Sequence, residues 1–185
     1  MALKESNMMP LGTKASAFEL VDVVSNITFS LEDIRGEEGT LVMFICAHCP
    51  YVKNIEEELS VMAKQYKNLG IGFVGISSND AASYPEDAPD GLRDQAKKVG
   101  FEFPYLYDET QEVAKAYDVA CTPDFFLFND QLSLVYRGRF DSSTPGNTDP
   151  ISGDDLRLAI THLLEYQKIP EEQHPSVGCS IKWKE

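Results

Sequence analysis

The chain has 185 residues, 16 Lys+Arg against 30 Asp+Glu, and a formal net charge of −14. That is one domain's length, and an apolar fraction of 43% with 10% aromatic excludes a disordered chain and suffices for a core without disulfide staples. The acidic balance argues against nucleic acid and anionic membranes as partners, since both need a basic face. The longest unbroken apolar run, residues 41–47, falls far short of the roughly 20 residues that cross a bilayer. Residues 1–10 hold no apolar stretch of the secretory kind, so the expected compartment is the cytoplasm. Four cysteines are too few for a disulfide scaffold, and in a reducing compartment they point to catalysis, metal binding or burial.

Residues 17–24 and 26–29 read as short strands about a turn at Ser25-Asn26. Residues 39–45 form a continuous apolar run, which suits a strand buried on both faces. Val52, Ile55, Leu59, Met62 and Tyr66 then recur at helical spacing, from a start near Cys49-Pro50 to a stop at Gly70. Residues 71–76 are a second buried strand, so the three elements make a right-handed βαβ unit. Residues 77–91 are polar and proline-containing and read as a loop; Asp90 is expected to cap a helix that Gly100 ends.

Residues 105–107 suit a short strand, and Asp108 with Gln111 fits a capping box for a helix through Tyr117. Residues 124–128 and 132–139 flank a turn at Asn129-Asp130, the pattern of an antiparallel hairpin. Residues 141–150 are a loop, and Ser152 is placed to cap a last helix carrying Leu156, Ala159, Ile160 and Leu163 on one stripe. Residues 170–185 read as an irregular tail, most simply anchored by Trp183. The order implies one α/β domain over residues 1–185, a mixed sheet with helices on both faces.

The chemistry sits at Cys46-Ala47-His48-Cys49-Pro50, where the buried strand gives way to the helix. A helix N-terminus offers unpaired N–H groups and partial positive charge, which stabilise a thiolate. Cys46 is then the attacking thiol and Cys49, three residues on, the resolving one. His48 between them would favour the Cys46 thiolate. Half a zinc site looks the same, but a zinc ribbon would want a second C-x-x-C, and Cys121 and Cys179 are isolated. Redox chemistry is the favoured reading; metal binding and inert core thiols stay open. Thr122-Pro123 opens the strand at residue 124. Steric tolerance of Pro at a strand entry explains it, whereas a cis bond there would set a backbone edge beside the dithiol for substrate docking. Cys121 is either a small buried hydrophobe or an auxiliary thiol. Cys179 either packs, acts as a third redox thiol, or pairs with Cys121. Arg137 and Arg139 read as solvated strand-end charges.

A buried strand ending in C-x-x-C, a βαβ unit, Thr-Pro opening a hairpin and a last helix together resemble the thioredoxin superfamily. The N-terminal strands and the insertion over residues 77–101 resemble its redoxin branch, the group around alkyl hydroperoxide reductase and thiol-specific antioxidant proteins (AhpC/TSA). Phe103-Pro104-Tyr105-Leu106-Tyr107-Asp108 and Pro175-Ser176-Val177-Gly178-Cys179-Ser180-Ile181-Lys182-Trp183 are similar to stretches of a bacterial group known only as thioredoxin family proteins. The resemblance implies a thioredoxin-like fold, with Cys46 as nucleophile, Cys49 as resolving thiol and Pro123 as cis-proline. Peroxiredoxins carry Thr or Ser three residues before the reactive cysteine and Pro four before that, where this chain has Met43 and Gly39. Thioredoxin carries a buried Asp six residues before its first cysteine; here the residue is Thr40.

The function these readings imply is thiol–disulfide exchange by Cys46 and Cys49, with no cofactor beyond the dithiol and no metal. The expected partners are a disulfide-containing protein or small thiol substrate and an electron donor of thioredoxin or glutathione type. The alternatives are a thiol peroxidase, in which Cys46 becomes a sulfenic acid that Cys49 or Cys179 condenses with, and a non-catalytic binding protein or metal carrier.

Overall fold

A computed structural model of the chain describes residues 3–185. The strands are β1 (Leu3–Glu5), β2 (Glu19–Asp22), β3 (Thr28–Ser30), β4 (Gly39–Phe44), β5 (Ile71–Ser77), β6 (Tyr105–Tyr107), β7 (Cys121–Thr122), β8 (Asp124–Asn129), β9 (Leu134–Gly138) and β10 (Val177–Ser180). The helices are α1 (Leu31–Ile34), α2 (Pro50–Tyr66), α3 (Pro89–Val99), α4 (Glu112–Ala116) and α5 (Asp154–Leu164). Seven strands form a mixed sheet in the order β3-β2-β6-β5-β4-β8-β9, with β4, β5 and β6 parallel and β8 antiparallel to β4. A second, three-stranded sheet has the order β1-β10-β7.

β4 lies at the centre because all six of its residues are buried and its side chains feed both faces. Leu41 and Met43 join α2, α3 and α5 through Val52, Ile55, Leu59, Leu92, Leu156 and Ile160. Val42 and Phe44 turn to the other face, where Leu31 and Ile34 of α1 and Val113 and Ala114 of α4 cover them. This is the α/β sandwich that the pattern of runs implies.

Local chemistry departs from expectation at the small elements. Ser30 and Asp33 form the capping box, on α1, a helix too short to show periodicity. Asp108 and Gln111 do not form one. Gln111 starts α4 in the left-handed conformation (φ 64°) and spends its side chain on the carbonyls of Ser78 and Lys182, while Asp108 accepts from the Ala114 amide. Ser152 does not cap α5; the N-cap residue is Gly153, and Asp141 holds the chain that leads into it, accepting from the Ser152 and Gly153 amides at 2.8 and 2.7 Å. Asp90 sits inside the first turn of α3, paired with Arg93 at 2.5 Å, and Ala88 is the N-cap residue. The tail is not irregular throughout: β10 is inserted between β1 and β7. Trp183 is 44% exposed, so it does not anchor that tail; buried Ile181 does, with Lys182 bonded to Asn79 and Gln111. Among the described residues no helix is long and apolar enough to cross a membrane.

Candidate active site

β4 delivers Cys46 to the carboxyl end of the sheet, two residues past its last residue, and Cys49 is the N-cap of α2, with Pro50 in the first helical turn. Ile45 stays in register through its amide bond to Ile76 (3.0 Å). Gln95 of α3 holds the Cys46 carbonyl at 3.2 Å and is itself held by the Tyr105 hydroxyl at 3.0 Å. All four cysteines are reduced, and all four are buried.

The turn between the two cysteines is fixed by Asp87, from the loop after β5. One carboxylate oxygen accepts from the Ala47 and His48 amides at 2.8 and 3.0 Å; the other accepts from His48 Nδ1 at 2.5 Å and Asn79 Nδ2 at 2.8 Å. Burial pushes the Asp87 carboxyl up, but the His48 contact and Asn79 outweigh it, and the net shift is downward, so Asp87 is an anion that receives the His48 proton. The His48 ring stacks on Tyr84 with centroids 4.7 Å apart.

His48 therefore does not serve Cys46 as expected. Its Nδ1 lies 3.7 Å from Cys46 Sγ, but that nitrogen carries one proton, which goes to the shorter, charge-assisted contact with Asp87. The Thr122 hydroxyl lies 3.3 Å from Cys46 Sγ. Cys49 Sγ lies 3.3 Å from the Thr122 carbonyl oxygen and 2.7 Å from Cys179 Sγ.

The surroundings of the two thiols act on them in opposite directions. Burial pushes the Cys46 thiol well above its ordinary range, and the contact with Cys49 and the Asp87 charge add to this; the Thr122 hydroxyl opposes it. Cys49 is pulled down to about 5, chiefly because the Cys46 thiol donates to it, with the Cys179 thiol and the Val52 and Cys179 amides assisting against burial. The Thr122 carbonyl, which accepts from the Cys49 thiol at 3.3 Å, acts in the other direction and favours a protonated Cys49. The physical reason is position: Cys49, not Cys46, sits on the helix N-terminus, and Cys46 is deeper and beside a carboxylate.

The Thr122–Pro123 bond is cis. The β7 edge beside the dithiol is taken by the chain's own β10, with Cys179 opposite Thr122 and Ser180 opposite Cys121. Pro123 remains open to a cleft framed by Tyr51, Phe140, Ser143 and Val177. Cys121 and Thr122 point to opposite faces. The Cys121 sulfur lies 3.9 Å from the Pro123 and Ser176 carbonyls, and burial pushes its thiol up. Cys179 therefore meets Cys49 rather than Cys121. Arg137 bonds Gln173 and the Met9 carbonyl, and Arg139 pairs with Asp155 at 2.5 Å.

Asp87 is the residue that the sequence reading missed. Its one signal is topological: β4 and β5 are parallel, so the loops that follow them share one edge, and an acid framed by Pro85 and Pro89 lies in the second loop. Cys46, His48 and Asp87 place ligand-type atoms within 4.8 Å of one another. A metal ion there would have to displace the amide and imidazole protons that Asp87 already holds, so the donor set suits a turn clamp better than a metal centre.

The fold and this buried dithiol at a strand-to-helix junction define a member of the thioredoxin superfamily. Residues 11–137 match the AhpC/TSA family, and the chain belongs to that family. An uncharacterized conserved protein from Geobacillus kaustophilus is 52% identical, with a TM-score of 0.98 over 100% of this chain and 97% of that one. A hypothetical protein from Sinorhizobium meliloti 1021 is 42% identical, with a TM-score of 0.95 over 97% of this chain and 98% of that one. The thiol-disulfide oxidoreductase ResA of Bacillus subtilis is 28% identical over 127 residues, 67% of this chain. The match spans 64% of the length of that curated relative. Further structures at 20% identity or below share the fold alone.

Proposed function

We propose that the protein is a thiol–disulfide oxidoreductase of the cytoplasm, which reduces a disulfide in a protein or small-molecule substrate through Cys46 and Cys49. The observation that carries this reading is the pair itself: two buried cysteines at the junction of β4 and α2, with Thr122 against both sulfurs. Kinship with ResA, named as a thiol-disulfide oxidoreductase, supports it. Pro123 and the adjoining cleft are the proposed substrate contact.

In the proposed cycle the Cys46 sulfur attacks one substrate sulfur while its proton passes to Cys49. The substrate S–S bond breaks, and the leaving thiolate then takes the proton from Cys49. The Cys49 thiolate attacks the Cys46 sulfur, releases the second substrate thiolate and closes the Cys46–Cys49 disulfide. Two electrons have moved from the dithiol to the substrate, and a thioredoxin- or glutathione-type donor returns them. Cys46 is given the attacking role because Cys49 is boxed between the Thr122 carbonyl and Cys179; both sulfurs are buried, so the substrate must reach them by way of the cleft at Pro123.

A peroxidase reading is less well supported. Met43 and Gly39 stand where peroxiredoxins have a hydroxyl and a proline, and the charge beside Cys46 is the Asp87 carboxylate rather than an arginine. The test is one preparation assayed for protein-disulfide reduction, peroxide consumption and bound metal. Disulfide turnover that is lost in both Cys46→Ser and Cys49→Ser, with peroxide reacting no faster than with a free thiol, is the expected result. Fast peroxide consumption or stoichiometric metal would overturn it.

A further inference from the structure

Cys179 has no part in the cycle above, yet its sulfur lies 2.7 Å from Cys49 Sγ, against about 2.05 Å for a disulfide bond. Its placement is built in rather than incidental. β10 is paired on both sides, with Cys179 opposite Leu3 of β1 and opposite Thr122 of β7. Gly178 permits the close approach, since a Cβ there would lie 2.0 Å from the Thr122 carbonyl oxygen and 3.3 Å from Pro123 Cδ. Beyond β10 the Ile181 amide bonds to the Ala120 carbonyl and the Lys182 amide to Asn79 Oδ1. Asn79 in turn donates to Asp87, so the loop that clamps the dithiol turn also pins the strand that carries Cys179.

We propose that Cys179 is a third redox thiol that exchanges with the catalytic pair, so that Cys49 is shared between two alternative disulfides, Cys46–Cys49 and Cys49–Cys179. The inference rests on the reading that Cys46 and Cys49 cycle through a disulfide. The step is an isomerisation. The Cys179 sulfur attacks the Cys49 sulfur, the Cys46–Cys49 bond breaks and a Cys49–Cys179 bond forms. Cys46 leaves as a thiolate and takes up the proton that Cys179 gave. No electrons are gained or lost, and the only oxidant required is the substrate disulfide that oxidised the pair.

The local charges favour this order of events. In the reduced protein burial, and then the hydrogen bond and charge of Cys49, push the Cys179 thiol up to about 12, while Lys182 pulls it down. Once Cys49 is in a disulfide, the Cys49 contribution is gone, and burial and the opposing pull of Lys182 remain. The Lys182 ammonium is held over the Tyr84 ring, 5.4 Å from its centroid, and bonds to the Ser180 carbonyl at 2.6 Å. The consequence is a covalent closure. With Cys49 and Cys179 joined, β10 is fastened over the dithiol and Cys46 is returned to the thiol state.

The test is disulfide mapping of the whole protein after stoichiometric oxidation with glutathione disulfide, acid quenching, alkylation and peptide mass spectrometry. The native protein is expected to give a Cys49–Cys179 peptide beside the Cys46–Cys49 one, with Cys121 alkylated. Cys46→Ser is expected to give the Cys49–Cys179 link as its main product, and Cys179→Ser to lose that link and keep Cys46–Cys49. Absence of the link from the oxidised native protein overturns the inference without reliance on any variant. Disulfide-reductase turnover is measured on the same native sample. Turnover without the link strikes only this inference, whereas the link without turnover strikes the proposed function and leaves the third thiol standing.

Discussion

Replacing Cys49 by Ser removes the thiol that its neighbours pull down. The Cys49 pKa of about 5 lies about two units below neutrality, so the group is about 99% ionised there. Cys46, Cys121 and Cys179 are all held above the ordinary thiol range, chiefly by burial. Thiolate absorbance in the ultraviolet, followed across about pH 4 to 10, should therefore show one thiolate appearing near pH 5 in the native protein and none in Cys49→Ser before alkaline pH. Cys46→Ser should keep the signal, since the introduced hydroxyl still donates to Cys49.

The same shift sets a stability difference. Folding lowers the Cys49 pKa from an unfolded value near 8.5, so its contribution is fully present above about pH 8.5 and is lost as pH falls through about 5. At 1.36 kcal/mol per unit the shift is worth at most a few kcal/mol. Part is returned through the raised Cys46, whose contribution runs the other way and is lost above about pH 8.5. Urea titrations of the reduced proteins should give a gap between native and Cys49→Ser that widens from pH 5 to 8. A thiolate signal that survives in Cys49→Ser with the same midpoint would refute the assignment and return the charge to Cys46.

Asp124 should behave in the opposite sense. Burial pushes its carboxyl up to about 8, so the stability it contributes is full below about pH 3.9 and is lost as pH rises toward 8, by roughly 5 kcal/mol, a slope that Asp124→Asn should abolish in urea titrations. Asp87→Ala leaves the Ala47 and His48 amides, His48 Nδ1 and Asn79 without their common acceptor, and should cost about 3–5 kcal/mol of unfolding free energy; a loss below about 1 kcal/mol would mean that the turn holds itself. Gly178→Ala drives a Cβ to 2.0 Å from the Thr122 carbonyl, so β10 must lift, at about 1–3 kcal/mol, and alkylation of Cys49 should accelerate. An unchanged alkylation rate would mean that β10 does not cover the dithiol.

The sandwich was readable because its signals are local. The run ending at Cys46 is long enough to be a strand buried on both faces, and the stripe from Val52 to Tyr66 is unambiguously helical. The dithiol was readable for the same reason, being a junction between two such elements. What could not be read is what reaches the junction from afar. Asp87 acts across 40 residues from a loop whose composition says only that it is polar. Cys179 acts across 130 residues from a four-residue strand with no alternation to mark it, and its partner is chosen by pairing with β7. That the helix cap residue is Cys49, and that a buried carboxylate lies beside Cys46, are likewise matters of tertiary placement.

The central claim, that Cys46 and Cys49 exchange disulfides with an outside substrate, is tested most directly by trapping. Cys49→Ser lacks the thiol that resolves a mixed disulfide, so the reduced variant, mixed with a disulfide-bonded protein at alkaline pH where hydroxide takes the Cys46 proton in place of Cys49, should accumulate a covalent complex whose linked peptide contains Cys46. Cys46→Ser should accumulate none through that position. A complex linked through Cys121 or Cys179, or no complex while the native protein still turns substrate over, would contradict the account.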